Sequence, residues 1–240
     1  SVMGLLQRLQ IARGDRMTRV LKSMSQLPQD QDGAVTSAVI FLHGYGANGA
    51  DLMGLAEVLA EHMPGTLFLA PDAPETTVMA PMGLQWFPIP WIDGSSEEDA
   101  AKGLQAASED LDAYLDGVMV DYDLLPEQVV IFGFSQGTMM ALNVAPRRED
   151  PVAGVVAFSG RLLQADALQE EVQSKMPILL VHGDEDEVVP IDALPHAAEA
   201  LEAAWFKEVY AHIMKGTGHG IGSDGLQVAL AFMRKQLGME

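Results

Sequence analysis

The stretch that decides the fold is Val129-Val130-Ile131-Phe132-Gly133-Phe134-Ser135-Gln136-Gly137-Thr138. Its first four residues, β-branched and aromatic, read as a short buried strand, Val129–Phe132. Gly133-x-Ser135-x-Gly137 follows at once and opens a helical pattern over Thr138–Ala145. A strand that turns into a helix on one serine leaves no room for Cβ atoms beside the turn, hence glycine at both flanks. The serine itself is forced into a strained conformation that lifts its hydroxyl clear of the sheet, the geometry of a nucleophile elbow. Chance placement would yield about 0.1 such patterns in this chain.

Outward from this turn, short apolar runs alternate with helical patterns. Further strands are expected at Ala38–Leu42, Thr66–Ala70, Val152–Phe158, Ile178–Val181 and Val209–Met214, with an edge strand within Met17–Met24. The other helices are expected at Asp51–His62, Glu97–Val120, Ile191–Ala204 and Leu226–Leu237. Continuous apolar strands alternating with helices indicate an α/β fold, a mostly parallel central sheet flanked by helices on both faces. No repeat, low-complexity tract or linker interrupts the pattern, so residues 23–240 are read as a single domain. Residues 1–22 stand apart, with Arg8, Arg13, Arg16, Arg19 and Lys22 facing one acid, Asp15. Leu5, Leu6, Leu9 and Ile11 are too interrupted for a secretory segment, and the stretch is read as a poorly ordered basic leader or an upstream start.

Composition narrows the function. With 240 residues and 48% hydrophobic content, the chain can build one substantial core. A mean hydropathy of +0.12 with 20% charged residues excludes a disordered or collagen-like chain. No apolar run approaches the ~18–20 residues needed to cross a bilayer. The 14 basic and 34 acidic side chains leave a formal charge of −20. Such a field repels phosphate backbones and anionic bilayers, so neither nucleic acid nor stable membrane insertion is expected. The absence of cysteine excludes disulfides, thiolate catalysis and cysteine-ligated metals, and fits a cytoplasmic location.

A serine nucleophile needs a base and a group that orients the base. Of six histidines, His62 and His196 fall in or beside helices and His212 within a strand, while His43 and His182 each end a strand and precede glycine. His219 lies in Gly216-Thr217-Gly218-His219-Gly220, just beyond the strand that ends at Met214, where glycines free the loop to reach the elbow. The acid should come from the loop after Ile178–Val181, His182-Gly183-Asp184-Glu185-Asp186-Glu187-Val188-Val189-Pro190. Spacing alone does not choose between Asp184 and Asp186. The order serine, acid, histidine is that of α/β-hydrolases.

Leu42-His43-Gly44-Tyr45-Gly46-Ala47-Asn48-Gly49, the Gly133–Gly137 elbow, His182–Pro190 and Gly218-His219 together resemble the phospholipase/carboxylesterase family of α/β-hydrolases, which includes bacterial carboxylesterases and acyl-protein thioesterases. The resemblance runs from about Val35 to Leu237. It implies Asp186 as the acid, with Ser135 and His219 completing a catalytic triad. It places the oxyanion-hole donors on the backbone N–H groups of Tyr45 and Gln136, Tyr45 standing where many relatives have leucine. It also implies a small-molecule ester as substrate, no metal and no organic cofactor, and it admits a homodimer.

The Pro71–Ser96 stretch, broken by five prolines, reads as a long loop with an apolar cluster of Met79, Met82, Leu84, Trp86, Phe87, Ile89 and Trp91. The cluster either covers the core or walls a substrate site, and the resemblance places a pair like Trp86-Phe87 near the acyl pocket. Only 19 residues separate Phe158 from Ile178, too few for a cap domain. An uncapped site favours short- to medium-chain esters, since a long chain gains ~0.8 kcal/mol per methylene only where a pocket receives it. Lysophospholipase and acyl-protein thioesterase activities are the alternatives. Three other classes compete with a serine esterase. Gly44-x-Gly46-x-x-Gly49 with Asp72 matches a dinucleotide fingerprint, but Asp51 at the helix start opposes a pyrophosphate. His182 and the acids Asp184–Glu187 form a weak metal pattern, because consecutive acids on a loop point in different directions. A binding protein on a decayed hydrolase fold would have no need of the triad residue types, all of which are present.

Overall fold

The computed structural model describes residues 18–29, 33–78 and 82–240. Its strands are β1 (Ser23–Gln26), β2 (Ser37–Leu42), β3 (Thr66–Pro71), β4 (Glu75–Thr76), β5 (Leu84–Gln85), β6 (Val129–Phe134), β7 (Gly154–Phe158), β8 (Ile178–Gly183) and β9 (Val209–Met214). Its helices are α1 (Gly49–Ala60), α2 (Pro90–Asp93), α3 (Glu97–Asp121), α4 (Gln136–Val144), α5 (Ala165–Glu171), α6 (Ala193–Ala203) and α7 (Ser223–Gln236). Seven strands form one sheet in the order β1-β3-β2-β6-β7-β8-β9, parallel throughout except for β1, while β4 and β5 pair separately as a small antiparallel ribbon.

Strand burial explains the apolar runs. Successive side chains point to opposite faces of a strand, so a sheet clad on both sides needs an apolar residue at nearly every position. In β2, Ala38, Ile40 and Leu42 join the core under α3, α4 and α6, whereas Val39 and Phe41 join the core under α1 and α7. The long helix α3 starts where the Ser96 hydroxyl accepts the Asp99 N–H at 3.0 Å, with Glu97, Glu98 and Asp99 complementing the positive helix end.

Parallel strands deliver their carboxyl ends to one edge of the sheet. Ser135 follows β6, the acidic loop follows β8 and the His219 loop follows β9. The connection from β7 to β8 carries only α5, seven residues long, so among the described residues that connection builds no cap domain over the edge.

Several expectations shift. The edge strand anticipated within Met17–Met24 is instead Ser23–Gln26, antiparallel to β3, and Met17 lies outside the described residues. The short helix α5 went unread because its N-cap, Gln164, sits in the left-handed region (φ 53°) without a capping side chain. The Pro71–Ser96 loop contains the β4–β5 ribbon and α2. The basic leader lies outside the described residues through Met17. Residues 18–22 are held against the body, where the Arg19 backbone N–H and Nε donate to Asp110 at 2.7 and 2.9 Å and Leu21 is buried. Among the described residues, no helix is long and apolar enough to cross a membrane.

Candidate active site

Ser135 sits between β6 and α4 with φ 56° and ψ −114°, outside the conformations an ordinary residue prefers. The strain is held in place by close packing. A Cβ on Gly133 would come within 2.6 Å of Gly137 O, and one on Gly137 would overlap the Leu42 carbonyl. Across from the elbow, a Cβ on Gly44 would lie 3.2 Å from Ser135 Cβ, which brings the Gly44-Tyr45 backbone beside the serine.

The hydroxyl of Ser135 lies 3.0 Å from His219 Nε2, and His219 Nδ1 lies 2.7 Å from Asp186 Oδ2. Since an ionised carboxylate only accepts, Nδ1 carries the proton and Nε2 is the lone-pair nitrogen facing the serine. The other oxygen of Asp186, Oδ1, accepts the N–H groups of Val188 and Val189 at 2.9 and 2.8 Å. Asp186 is enclosed, with no side-chain exposure. Phe134 packs against the His219 ring, centroids 4.9 Å apart, and fixes its plane.

Asp184 and Asp186 are separated by geometry. Asp184 turns outward, and its Oδ1 accepts the Gly216 N–H at 2.8 Å, while Glu185 N–H donates to Thr217 O at 3.0 Å. These bonds stitch the acidic loop to the histidine loop. His182 donates from Nε2 to Val189 O at 2.7 Å and so braces the same turn. The four acids diverge, and among the described residues no group of three His, Asp or Glu side chains is placed to hold a metal ion.

His43 is a buried bracket. Its Nδ1 donates to Gly44 O at 2.8 Å, its Nε2 accepts the Ala73 N–H at 3.0 Å, and its carbonyl accepts Trp86 Nε1–H at 2.9 Å. Burial pushes its pKa below the usual histidine value, more than the Gly44 bond and the nearby Asp72 raise it. The phenol of Tyr45 is pushed up by burial and by the charge of Asp93.

The Trp86-Phe87 pair is not where an acyl wall requires it. Trp86 is 0% exposed and Phe87 3%, both within the main core, so neither offers surface to a substrate. Their backbone is instead clamped by the Gln136 side chain, which accepts the Trp86 N–H and donates to Phe87 O, both at 2.8 Å. Of the same apolar cluster, Met82 and Trp91 are exposed, Ile89 is buried and Met79 lies outside the described residues. The dinucleotide reading also fails locally. The Gly49 N–H is taken by Asp72 Oδ1 at 2.8 Å and the Ala50 N–H by Asn48 Oδ1 at 3.0 Å, leaving no bare amide cradle for a pyrophosphate.

Sequence reasoning missed the clamp by Gln136, the stitch by Asp184 and the bracket by His43. Each joins residues tens of positions apart, and only the strand-end position of His43 hinted at a loop-packing role.

A mostly parallel sheet with a strained serine elbow, an acid after β8 and a histidine after β9 is the fold of an α/β-hydrolase. The profile of the phospholipase/carboxylesterase family matches residues 28–237. The chain belongs to the phospholipase/carboxylesterase family and is a hydrolase. Acyl-protein thioesterase 1 of Saccharomyces cerevisiae is 31% identical over 210 residues, covering 83% of this chain and 92% of that protein. Acyl-protein thioesterase 1 of Gibberella zeae is 27% identical over 219 residues, covering 84% of this chain and 91% of the relative. Among solved structures, esterase PE8 superposes with a TM-score of 0.85 at 36% identity, covering 91% of this chain and all of the other.

Proposed function

We propose that the enzyme is a carboxylesterase that hydrolyses short- to medium-chain carboxylic esters through an acyl-enzyme on Ser135. The observation that carries this reading is the unbroken line from Asp186 Oδ2 through the imidazole of His219 to Ser135 Oγ, at 2.7 and 3.0 Å. His219 Nε2 takes the hydroxyl proton as Ser135 Oγ attacks the ester carbonyl. Asp186 keeps the imidazole in the required tautomer and stabilises its cationic form. The backbone N–H groups of Tyr45 and Gln136 face the developing oxyanion, a contribution worth ~3–4 kcal/mol per donor in comparable sites. Gln136 opens α4, so its N–H has no acceptor within the helix. The tetrahedral intermediate collapses as the alkoxide leaves with the proton from His219. Water then gives a proton to Nε2, attacks the acyl-enzyme and releases the carboxylic acid with Ser135 regenerated. Every step is served by side chains and backbone of this chain, without a cofactor.

The β7–β8 connection, which carries only the short helix α5, supports the shorter substrates, and the likeness to esterase PE8 supports ester hydrolysis. Acyl-protein thioesterase activity is the second reading, favoured by the names of the curated relatives. Rates across p-nitrophenyl esters from acetyl to palmitoyl, with palmitoyl thioesters alongside, decide between them. A kcat/KM for palmitoyl substrates above that for butyryl esters rejects the short-chain assignment and leaves the triad reading standing. Ser135→Ala tests the triad itself. Loss on the order of 10⁶-fold in turnover is expected, with circular dichroism unchanged and fluorophosphonate labelling abolished. A variant keeping a tenth of the wild-type rate refutes Ser135 as nucleophile.

A further inference from the structure

The edge of the sheet that carries Ser135 also carries a cation that the acyl-transfer steps leave unused. β7 ends at Phe158 in register with Phe134, so the chain beyond it leaves the sheet beside Ser135. Phe158 O accepts the Ser135 N–H at 2.9 Å and the Thr138 hydroxyl at 2.7 Å. Gly160 lies so close to the elbow that a Cβ there would stand 2.6 Å from Ser135 O. Arg161 comes next, half-buried, with its guanidinium carbon 5.9 Å from the centre of the Trp91 ring. Trp91 belongs to the segment whose backbone at Trp86 and Phe87 is clamped by the Gln136 side chain. Arg161, beside Gly160, and Trp91, in α2 a few residues beyond Phe87, thus approach each other from two segments that each contact the elbow nearby.

Arg161 is unlike the other described arginines. Arg19 pairs with Asp110 and Glu75, Arg147 with Glu171, and Arg148 with Asp112 and Asp116, while Arg234 donates to the carbonyls of His62 and Met239. Among the described residues, Arg161 has neither an ion pair nor a hydrogen bond, in a chain with 34 acids and 14 bases. A ring at 5.9 Å is at the outer limit of cation–π contact and leaves the guanidinium's hydrogen-bonding capacity unspent. With no acceptor among the described residues, its planar fork of N–H donors has the chemistry that receives a carboxylate through two parallel hydrogen bonds.

We propose that Arg161, steadied by Trp91, binds a carboxylate on the substrate, so that the preferred substrates are monoesters of dicarboxylic acids. This inference rests on the reading of Ser135 as the nucleophile. It runs against the field of the whole chain, which repels anions and slows their encounter. The local pairing acts at hydrogen-bond range in a partly desolvated site, where a charged hydrogen bond changes binding about 10–100-fold. A monoanion is the better match than a phosphomonoester, because a dianion meets roughly twice the repulsion from a −20 chain while gaining only one guanidinium.

The test compares monoethyl succinate, glutarate and adipate with ethyl pentanoate, a neutral counterpart, by pH-stat. In wild type, kcat/KM for the best half-ester is expected to exceed that for ethyl pentanoate, with the ratio falling as sodium chloride is raised. In Arg161→Gln the ratio of half-ester to neutral ester is expected to drop tenfold or more, chiefly through KM, and Arg161→Lys is expected to keep part of it. An unchanged ratio in Arg161→Gln overturns the proposal. So does a wild type that prefers ethyl pentanoate to every half-ester, a result that needs no variant. Ser135→Ala is run in parallel: turnover there removes the nucleophile reading, whereas a silent Ser135→Ala with an unmoved Arg161→Gln ratio removes only the Arg161 assignment.

Discussion

Asp186→Asn is the most informative single substitution, because the hydrogen bonds around Asp186 dictate how the new amide must lie. Oδ1 accepts two backbone N–H groups, from Val188 and Val189 at 2.9 and 2.8 Å, and Oδ2 accepts one imidazole N–H at 2.7 Å. An asparagine has one acceptor oxygen and one NH2 donor. Turning the NH2 toward Val188 and Val189 would set donors against two backbone donors, each stranded at a cost of about 1–3 kcal/mol. The oxygen therefore stays with the backbone and the NH2 faces His219 Nδ1. A neutral imidazole holds its single proton on either nitrogen, so Nδ1 becomes the acceptor and the proton moves to Nε2. Nε2–H then donates to Ser135 Oγ and cannot remove its proton. Such a tautomer switch lowers kcat by about 10⁴, equivalent to about 5.5 kcal/mol in the activation barrier. Asp184→Asn keeps an oxygen for the Gly216 N–H and is expected to stay within a few-fold of wild type. The assay is kcat and KM on p-nitrophenyl butyrate for both variants, with thermal unfolding to establish that each is folded. Asp186→Asn retaining more than a hundredth of wild-type kcat, or Asp184→Asn losing more than Asp186→Asn, would refute the reasoning.

Other consequences follow from the same contacts. Gln136→Leu strands the Trp86 N–H and the Phe87 carbonyl in the core, and a loss of about 2–6 kcal/mol is expected from two unsatisfied buried groups. Denaturant unfolding checks it, and a variant as stable as wild type would show that the clamp is dispensable. His43 titrates below its ordinary value because it is buried, so the unfolded chain binds a proton that the folded chain refuses. Its contribution to stability is intact above about pH 6.5 and is lost as pH falls from there toward the depressed folded value, at up to about 1.4 kcal/mol per pH unit. The wild-type stability profile between pH 7.5 and 5.5, minus that of His43→Gln, is expected to fall on acidification, and a flat difference contradicts the assignment. Saturating EDTA is expected to leave esterase turnover intact, since His219 is the proposed base for the attacking water. Loss on chelation, restored by a divalent ion, would move the acidic loop into metal chemistry.

Local pattern carried the architecture. A strand covered on both faces must be apolar at consecutive positions, so the runs Val39–Leu42, Val129–Phe132 and Ile178–Val181 announce a clad parallel sheet without reference to anything distant. Gly133-x-Ser135-x-Gly137 announces the elbow for a similar reason, since the steric demand lies within five residues of chain. What required the tertiary structure was every partnership closed across the edge of the sheet. Spacing leaves Asp184 and Asp186 equivalent, and they part only when the turn points one inward to His219 and the other outward to Gly216. Trp86 and Phe87 look like a pocket wall in sequence because they are large and apolar. They lie in the core because Gln136, about fifty residues away, holds their backbone there. Arg161 carries no signal in the sequence, and its place is set only when its neighbour Gly160 packs against Ser135 and Trp91 of α2 approaches its guanidinium. Hydrophobic periodicity and steric exclusion act over one turn or one strand and are written into neighbouring residues. Hydrogen bonds and ring contacts between distant side chains exist only after the sheet has brought its strand ends together, and no local pattern encodes which of them will meet.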